Sequence, residues 1–147
     1  MEHYFTNNDN LKSEIRVLKY NYGNTSFSFF SDNGVFSKDR IDYGSSLLVD
    51  TFIKNKPSTI NNILDVGCGY GFIGIVLGKV LNTKVTLIDV NKRAVHLAER
   101  NIKENNVTGE VLVSDVYENI KDKYDCIITN PPIRAGKDIV LKILEEA

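Results

Sequence analysis

Metal-ligating clusters and disulfides are the first things this sequence is short of: it holds two cysteines, Cys68 and Cys126, and two histidines, His3 and His96. Neither cysteine has a second Cys or His at metal-ligating spacing, so no metal site is expected, and both thiols are expected to be free and buried. His96 falls inside the helical pattern Arg93-Ala94-Val95-His96-Leu97-Ala98 and reads as a surface or packing residue, and His3 sits in a terminal stretch. No stretch approaches the roughly 18 consecutive apolar residues of a membrane span, and residues 1–5 (MEHYF) lack a secretory layout, so a cytoplasmic location is the expectation. An excess of one charge is lacking too. Lys and Arg number 18 against 19 Asp and Glu, a formal net charge of −1, which argues against a strongly basic nucleic-acid sleeve but leaves room for a local basic patch. Low-complexity tracts and repeat periods are absent. What is there is an ordinary globular composition, 42% hydrophobic and 25% charged over 147 residues, enough for one compact domain with a core.

Two patterns divide the chain. Residues 14–20 alternate loosely, Asn21-Tyr22-Gly23-Asn24 is turn-like, and Ser26 to Phe30 alternates serine with phenylalanine, which predicts an N-terminal β-hairpin. A turn at Asp32-Asn33-Gly34 and a helix over about 43–54, ending before Pro57, follow. From Ile63 the pattern becomes strand 63–66, helix 72–81, strand 84–89, helix 92–105, strands 110–114 and 124–129, and a last helix near Asp138. Alternating strands and helices predict an α/β fold, a Rossmann-like, doubly wound, mainly parallel sheet covered on both faces. The expected division is an extension over 1–34 and a core over 35–147.

The glycine loop carries most of the functional information. Asp65-Val66-Gly67-Cys68-Gly69-Tyr70-Gly71-Phe72-Ile73-Gly74 runs from strand to helix, and its glycines let the backbone turn tightly and approach a ligand where a Cβ would collide. Gly69 to Gly74 also satisfies the dinucleotide pattern G-x-G-x-x-G, so a nicotinamide-dependent oxidoreductase stands as an alternative. Asp65, at the strand end, would repel a pyrophosphate but suits a cofactor with a cationic amino-acid tail. Asp89, about twenty residues past the loop, is placed to accept from ribose hydroxyls; it could instead cap the helix that starts near Asn91. Asp115 is placed either to accept from an adenine amino group or to form a turn. Asp65, Asp89, Asp115 and Asn130 each end a strand, so all four converge on the rim where such sheets bind ligands. At Asn130-Pro131-Pro132-Ile133 the prolines fix φ and remove donors, leaving the Asn130 side-chain oxygen and the Pro131 carbonyl as rigid acceptors for an exocyclic amino group. A plain strand-ending turn is the other reading of that segment.

Taken together, these residues resemble a class I S-adenosylmethionine-dependent methyltransferase over about 36–137. The lead-in, Gly34-Val35-Phe36-Ser37 then Asp42-Tyr43-Gly44-Ser45-Ser46-Leu47-Leu48, is similar to that of the RsmC-like small-domain methyltransferases, which methylate guanine N2 in ribosomal RNA. The resemblance implies S-adenosyl-L-methionine as cofactor and RNA as partner. It implies cofactor contacts from Phe36, Ser37, Gly44, Asp65, Gly67, Cys68, Gly69, Gly71, Asp89, Val90, Asp115, Val116 and Asn130. Asn130, Pro131, Pro132 and Ile133 would receive the base, with Ile133, Arg134 and Lys137 toward the substrate.

Two features depart from the family pattern. Ile133 stands where an aromatic residue usually follows the prolines, so stacking on the base would fall to Phe36, Tyr43 or Phe72. Family members continue through a further helix and about three strands, so a chain truncated at its C-terminus, lacking the last strands of the sheet, is expected. Adenine N6, a protein glutamine, or an inactive cofactor-binding fragment remain alternatives at this point.

Overall fold

The computed structural model describes residues 15–32, 41, 43–56, 58–115 and 123–129. Two strands, β1 (Arg16–Tyr22) and β2 (Thr25–Ser31), form the expected antiparallel hairpin around Gly23. Helix α1 (Tyr43–Asn55) follows, and then β3 (Asn62–Val66), α2 (Phe72–Val80), β4 (Lys84–Asp89), α3 (Lys92–Glu104), β5 (Gly109–Val113) and β6 (Cys126–Thr129). The last four strands make one parallel sheet in the order β5-β4-β3-β6. The chain therefore steps outward from β3 to β4 to β5 and returns on the other side of β3, which makes the gap between the carboxyl ends of β3 and β6 the topological switch point.

Each element has a local cause. α2 is apolar all round, so it can exist only as a buried helix, and every residue from Phe72 to Gly78 is buried. α3 is amphipathic: Ala94, Val95, Leu97, Ala98, Asn101 and Ile102 form its buried stripe, and Asn91 caps it, accepting from Arg93 N (2.9 Å) and Ala94 N (3.3 Å). Such a cap stabilises a helix by about 1 kcal/mol. The central strands separate the two faces of the sheet by alternation. Ile63, Val85 and Leu87 face α2 and α3, whereas Leu64, Val66 and Ile88 form a smaller cluster on the opposite face with Leu112 and Tyr124. β6 is less covered than the sequence suggests: Cys126 is half-buried rather than buried, and Ile127 is 38% exposed. Its apolar run reflects a strand at the edge of the described sheet.

The hairpin belongs to the main core. Phe27 and Phe29 share one cluster with Tyr70, Phe72, Val76 and Leu97, and the rings of Phe29 and Phe72 lie 5.4 Å apart. A partly buried ion pair ties its end to the start of α3, with Arg93 Nη2 donating to Asp32 Oδ2 at 3.0 Å.

Candidate active site at the carboxyl rim of the sheet

The glycine loop leaves β3 and crosses the end of β4, where the Ile88 carbonyl accepts from both Gly67 N and Cys68 N at 2.9 Å. Gly67, Gly69 and Gly71 all have left-handed backbones, with φ of 72°, 57° and 101°, a conformation that L side chains rarely adopt. Gly67 is exposed and a Cβ there would meet nothing within 4 Å, so the loop lies open at that point. Gly71 turns the chain into α2 without a side-chain cap of its own.

Asp65 supplies that cap from the strand. Its carboxylate is 2% exposed, and Oδ2 accepts from Gly74 N, in the first turn of α2, at 3.0 Å. One of the donors that a helix start leaves unpaired is thus satisfied by an anion, which also suits the positive end of the helix dipole. Burial pushes the Asp65 carboxyl up to about 7; the Gly74 N–H opposes that rise and the Asp89 carboxylate adds to it. A pyrophosphate would have to share this helix end with the Asp65 carboxylate, so the site does not suit a dinucleotide.

Gly74 has to be glycine for the same reason. A Cβ there would overlap Leu87 Cδ2 and lie 3.1 Å from Asp65 Oδ2. Gly74→Ala gains about 1 kcal/mol of helix propensity, but overpacking costs about 1–3 kcal/mol or more. We expect a melting temperature lower by roughly 3–8 °C; an unchanged or higher value would show that the helix can move away from β4.

Asp89 ties two loops together. Its Oδ2 accepts from Gly69 N and its Oδ1 from Asn91 N, both at 2.9 Å. Helix capping is left to Asn91, so Asp89 is not needed as the cap. Val90 beside it is 52% exposed, an apolar side chain at the open rim. Register places Val113 next to Asp89, and Ser114 N donates to the Asp89 carbonyl at 3.0 Å, which brings the exposed Asp115 to the same rim. On the other side of β3, Thr129 pairs with Val66, and its hydroxyl donates to the Val66 carbonyl at 3.0 Å. The residue that follows Thr129 in sequence is Asn130, and the one that follows Val66 is Gly67.

Gly67, Cys68, Gly69, Gly71 and Asp89 are thus joined by direct hydrogen bonds or adjacency, Asp65 is tied to the start of α2 through Gly74, and Val90 and Asp115 lie on the same edge. Gly44 lies in the first turn of α1 and is exposed. Phe36, Ser37, Val116, Asn130, Pro131, Pro132, Ile133, Arg134 and Lys137 lie outside the described residues. Phe72 is buried against Tyr20, 4.8 Å between ring centroids, and so serves packing, while Tyr43 is 79% exposed. Cys68 is buried and free. Burial first, then the Asp65 and Asp89 carboxylates, raise its thiol well above the ordinary range, which makes it a poor nucleophile. Among the described residues there is no metal-ligating cluster. Sequence reading missed Asn101, which is fully buried in α3 and donates to the Tyr70 carbonyl of the glycine loop at 2.7 Å. A polar residue on the apolar stripe of an amphipathic helix was the available signal.

A family model described as methyltransferase small domain matches residues 26–147. The chain is 41% identical to the uncharacterized protein YbxB of Bacillus subtilis, over 99% of this chain and 74% of that protein. It is 47% identical to the ribosomal RNA small subunit methyltransferase C of Photorhabdus laumondii, over 70% of this chain and 30% of that one. It therefore spans about three quarters of the first relative's length and under a third of the second's. Among solved structures, the T. thermophilus 16S rRNA N2 methyltransferase RsmC in complex with AdoMet and guanosine superimposes with a TM-score of 0.81 at 25% identity, over 92% of this chain and 39% of that one. A Pyrococcus abyssi tRNA uracil C5 methyltransferase in complex with S-adenosyl-L-homocysteine gives a TM-score of 0.60 at 26% identity, over 88% of this chain and 32% of that one.

Proposed function

Because the chain belongs to the methyltransferase small-domain family and has its class I fold, we propose that it transfers a methyl group from S-adenosylmethionine to guanine N2 in ribosomal RNA. The RsmC neighbour is complexed with AdoMet and the Pyrococcus abyssi one with S-adenosyl-L-homocysteine, which supports S-adenosylmethionine as the cofactor. When bound, it supplies an electrophilic methyl group on a sulfonium. The observation that carries the reading is the tying of the glycine loop to Asp89 beside the β3–β6 switch point. This leaves the loop open to a ligand at Gly67 and a carboxylate at the right distance along the chain for a ribose. The residues present fit that cofactor. Asp89 accepts from the ribose hydroxyls, Val90 packs against the adenine ring, Asp115 accepts from its amino group, and Asp65 faces the cationic amino-acid end.

The chemistry belongs to Asn130 and Pro131 in this reading. Accepting both protons of the guanine amino group would turn the nitrogen lone pair out of conjugation and toward the methyl group; as the nitrogen–methyl bond forms the sulfur–methyl bond would break, leaving a neutral thioether, and one amino proton would be lost to solvent. Catalysis is then mainly positioning and electrostatics. Pro132 keeps the segment rigid, Ile133 makes an apolar contact with the base, and Arg134 and Lys137 meet phosphate. Phe36, Ser37 and Gly44 lie toward the cofactor, and Val116 follows Asp115 on the adenine side. An RNA substrate goes with a cytoplasmic location; among the described residues no helix is long and apolar enough to cross a membrane.

Binding of S-adenosylmethionine should depend on pH through Asp65. A cation beside this carboxyl favours its ionised form, so binding releases a proton while the free group is still protonated, below about 7. Affinity should tighten by up to about tenfold per pH unit from roughly 5.5 to 7 and level off above. The unliganded protein follows the opposite sign. A carboxyl raised from 3.8 to about 7 on folding keeps its proton longer in the folded state, so this group's share of stability is present at low pH and is lost as pH rises through that window. Calorimetric titration at several pH values tests both the cofactor and this role, with Asp65→Asn expected to flatten the profile. Tight binding with a flat wild-type profile would remove Asp65 from the cofactor's cationic end, and absence of binding would remove the cofactor assignment.

A further inference from the structure

The strand β2 turns its outer edge toward α3, and two asparagines complete that edge. Phe30 N donates to Asn101 Oδ1 at 2.7 Å, and Asn101 Nδ2 donates back to the Phe30 carbonyl at 3.0 Å. One helical turn on, Ser28 N donates to Asn105 Oδ1 at 3.1 Å, and Asn105 Nδ2 donates to the Ser28 carbonyl at 2.9 Å. The match is geometric. Residues four apart on a helix rise about 6.0 Å, and alternate residues on a strand rise about 6.8 Å, so two side-chain amides can stand in for the backbone of a missing neighbouring strand. A side-chain amide offers a donor and an acceptor side by side for this pairing without any change of protonation. The pair also covers a β edge that would otherwise be open.

The two asparagines differ in one respect. The second proton of Asn105 goes to the Asn101 carbonyl in its own helix (2.8 Å), whereas the second proton of Asn101 goes to the Tyr70 carbonyl in the glycine loop (2.7 Å). The Tyr70 ring rests edge-on against Phe29 of the hairpin at 5.8 Å. Three of the five loop residues 67–71 are left-handed glycines, the residues that lose most backbone freedom on being ordered, so a restraint at Tyr70 has a large effect on the loop.

We infer that Asn101 is a positioning residue for cofactor binding: through its side-chain amide the N-terminal hairpin holds the glycine loop in its binding conformation. The inference rests on the glycine loop being the cofactor site. A loop held in place before binding does not have to be ordered by the ligand, and affinity rises accordingly.

Matched isosteric variants test it. Asn101→Asp and Asn105→Asp each replace a donor with an oxygen at the hairpin edge, and both should lower the melting temperature. Only Asn101→Asp should weaken S-adenosylmethionine binding, by about tenfold, against less than about twofold for Asn105→Asp. Amide exchange of residues 67–74 in the cofactor-free protein should likewise be faster in Asn101→Asp alone. Equal losses of affinity in the two variants, or unchanged loop exchange in Asn101→Asp, would overturn the inference. If Asn101→Asp does not fold, Asn101→Ala removes the donor without adding a carboxylate and is read in the same way. A wild-type chain that binds no S-adenosylmethionine would instead overturn the cofactor assignment, while loop exchange would still decide whether Asn101 holds the loop.

Discussion

Replacing Asn130 by alanine is expected to lower kcat for methyl transfer by about 100- to 1000-fold, the range seen when one preorganised polar group is removed from a reacting centre. The argument is one of differential binding. A methyl group needs the amino lone pair pointing at it, and in the free base that pair is conjugated with the ring. An acceptor for the amino protons stabilises the pyramidal nitrogen of the transition state more than the flat nitrogen of the bound base, so its loss falls on kcat rather than on binding. S-adenosylmethionine affinity should change by less than about tenfold. Asn130→Asp is the discriminating companion: it keeps an acceptor but adds a charge, and should retain more activity than Asn130→Ala. A kcat within about threefold of wild type in Asn130→Ala would move the chemistry elsewhere.

The second large effect is expected at Asp89. Its oxygens already accept from Gly69 N and Asn91 N, and each carboxylate oxygen has a further lone pair for a ribose hydroxyl. Hydrogen bonds to a charged group contribute about 1.5–3 kcal/mol each, so losing two ribose contacts and the tie on the loop should weaken S-adenosylmethionine binding by about 100-fold or more in Asp89→Ala. Thermal stability should fall much less, because the two freed N–H groups lie at a half-exposed rim that water can reach. Asp89→Asn keeps the size but turns an NH2 group toward one of those donors, and should bind nearly as poorly. An affinity loss below about threefold would leave Asp89 as a structural tie between loop and helix.

Much of this arrangement is written locally in the chain. The strand over Lys84–Asp89 matches the expected 84–89, and α2 and α3 each end one residue earlier than expected, at Val80 and Glu104. Period, glycine placement and caps are all short-range signals, and Asn91 could be read as a cap directly. Convergence of Asp65, Asp89 and Asp115 at one rim also follows from strand order alone. Less legible is what depends on pairs distant in sequence. Asp65 reads as a ligand for a cation, yet in the fold it also caps α2 nine residues ahead, and the burial of that position raises its pKa although the cap itself opposes the rise. Asn101 and Asn105 look like blemishes on an amphipathic helix until β2, more than 70 residues earlier, is packed beside them. Tyr70 carries no assigned role in the sequence pattern, and in the fold its ring packs edge-on against Phe29 of the hairpin. The Asn130 to Ile133 segment, which the sequence offers most plainly, lies outside the described residues, so its role is carried by its position after β6.

Product analysis tests the central claim most directly. Ribosomal RNA lacking its own methylation is incubated with the chain and S-adenosylmethionine labelled in the methyl group, digested to nucleosides and separated. The account predicts label in N2-methylguanosine, lost with Asn130→Ala. Label in N6-methyladenosine, or no label in a chain that binds the cofactor, would contradict it.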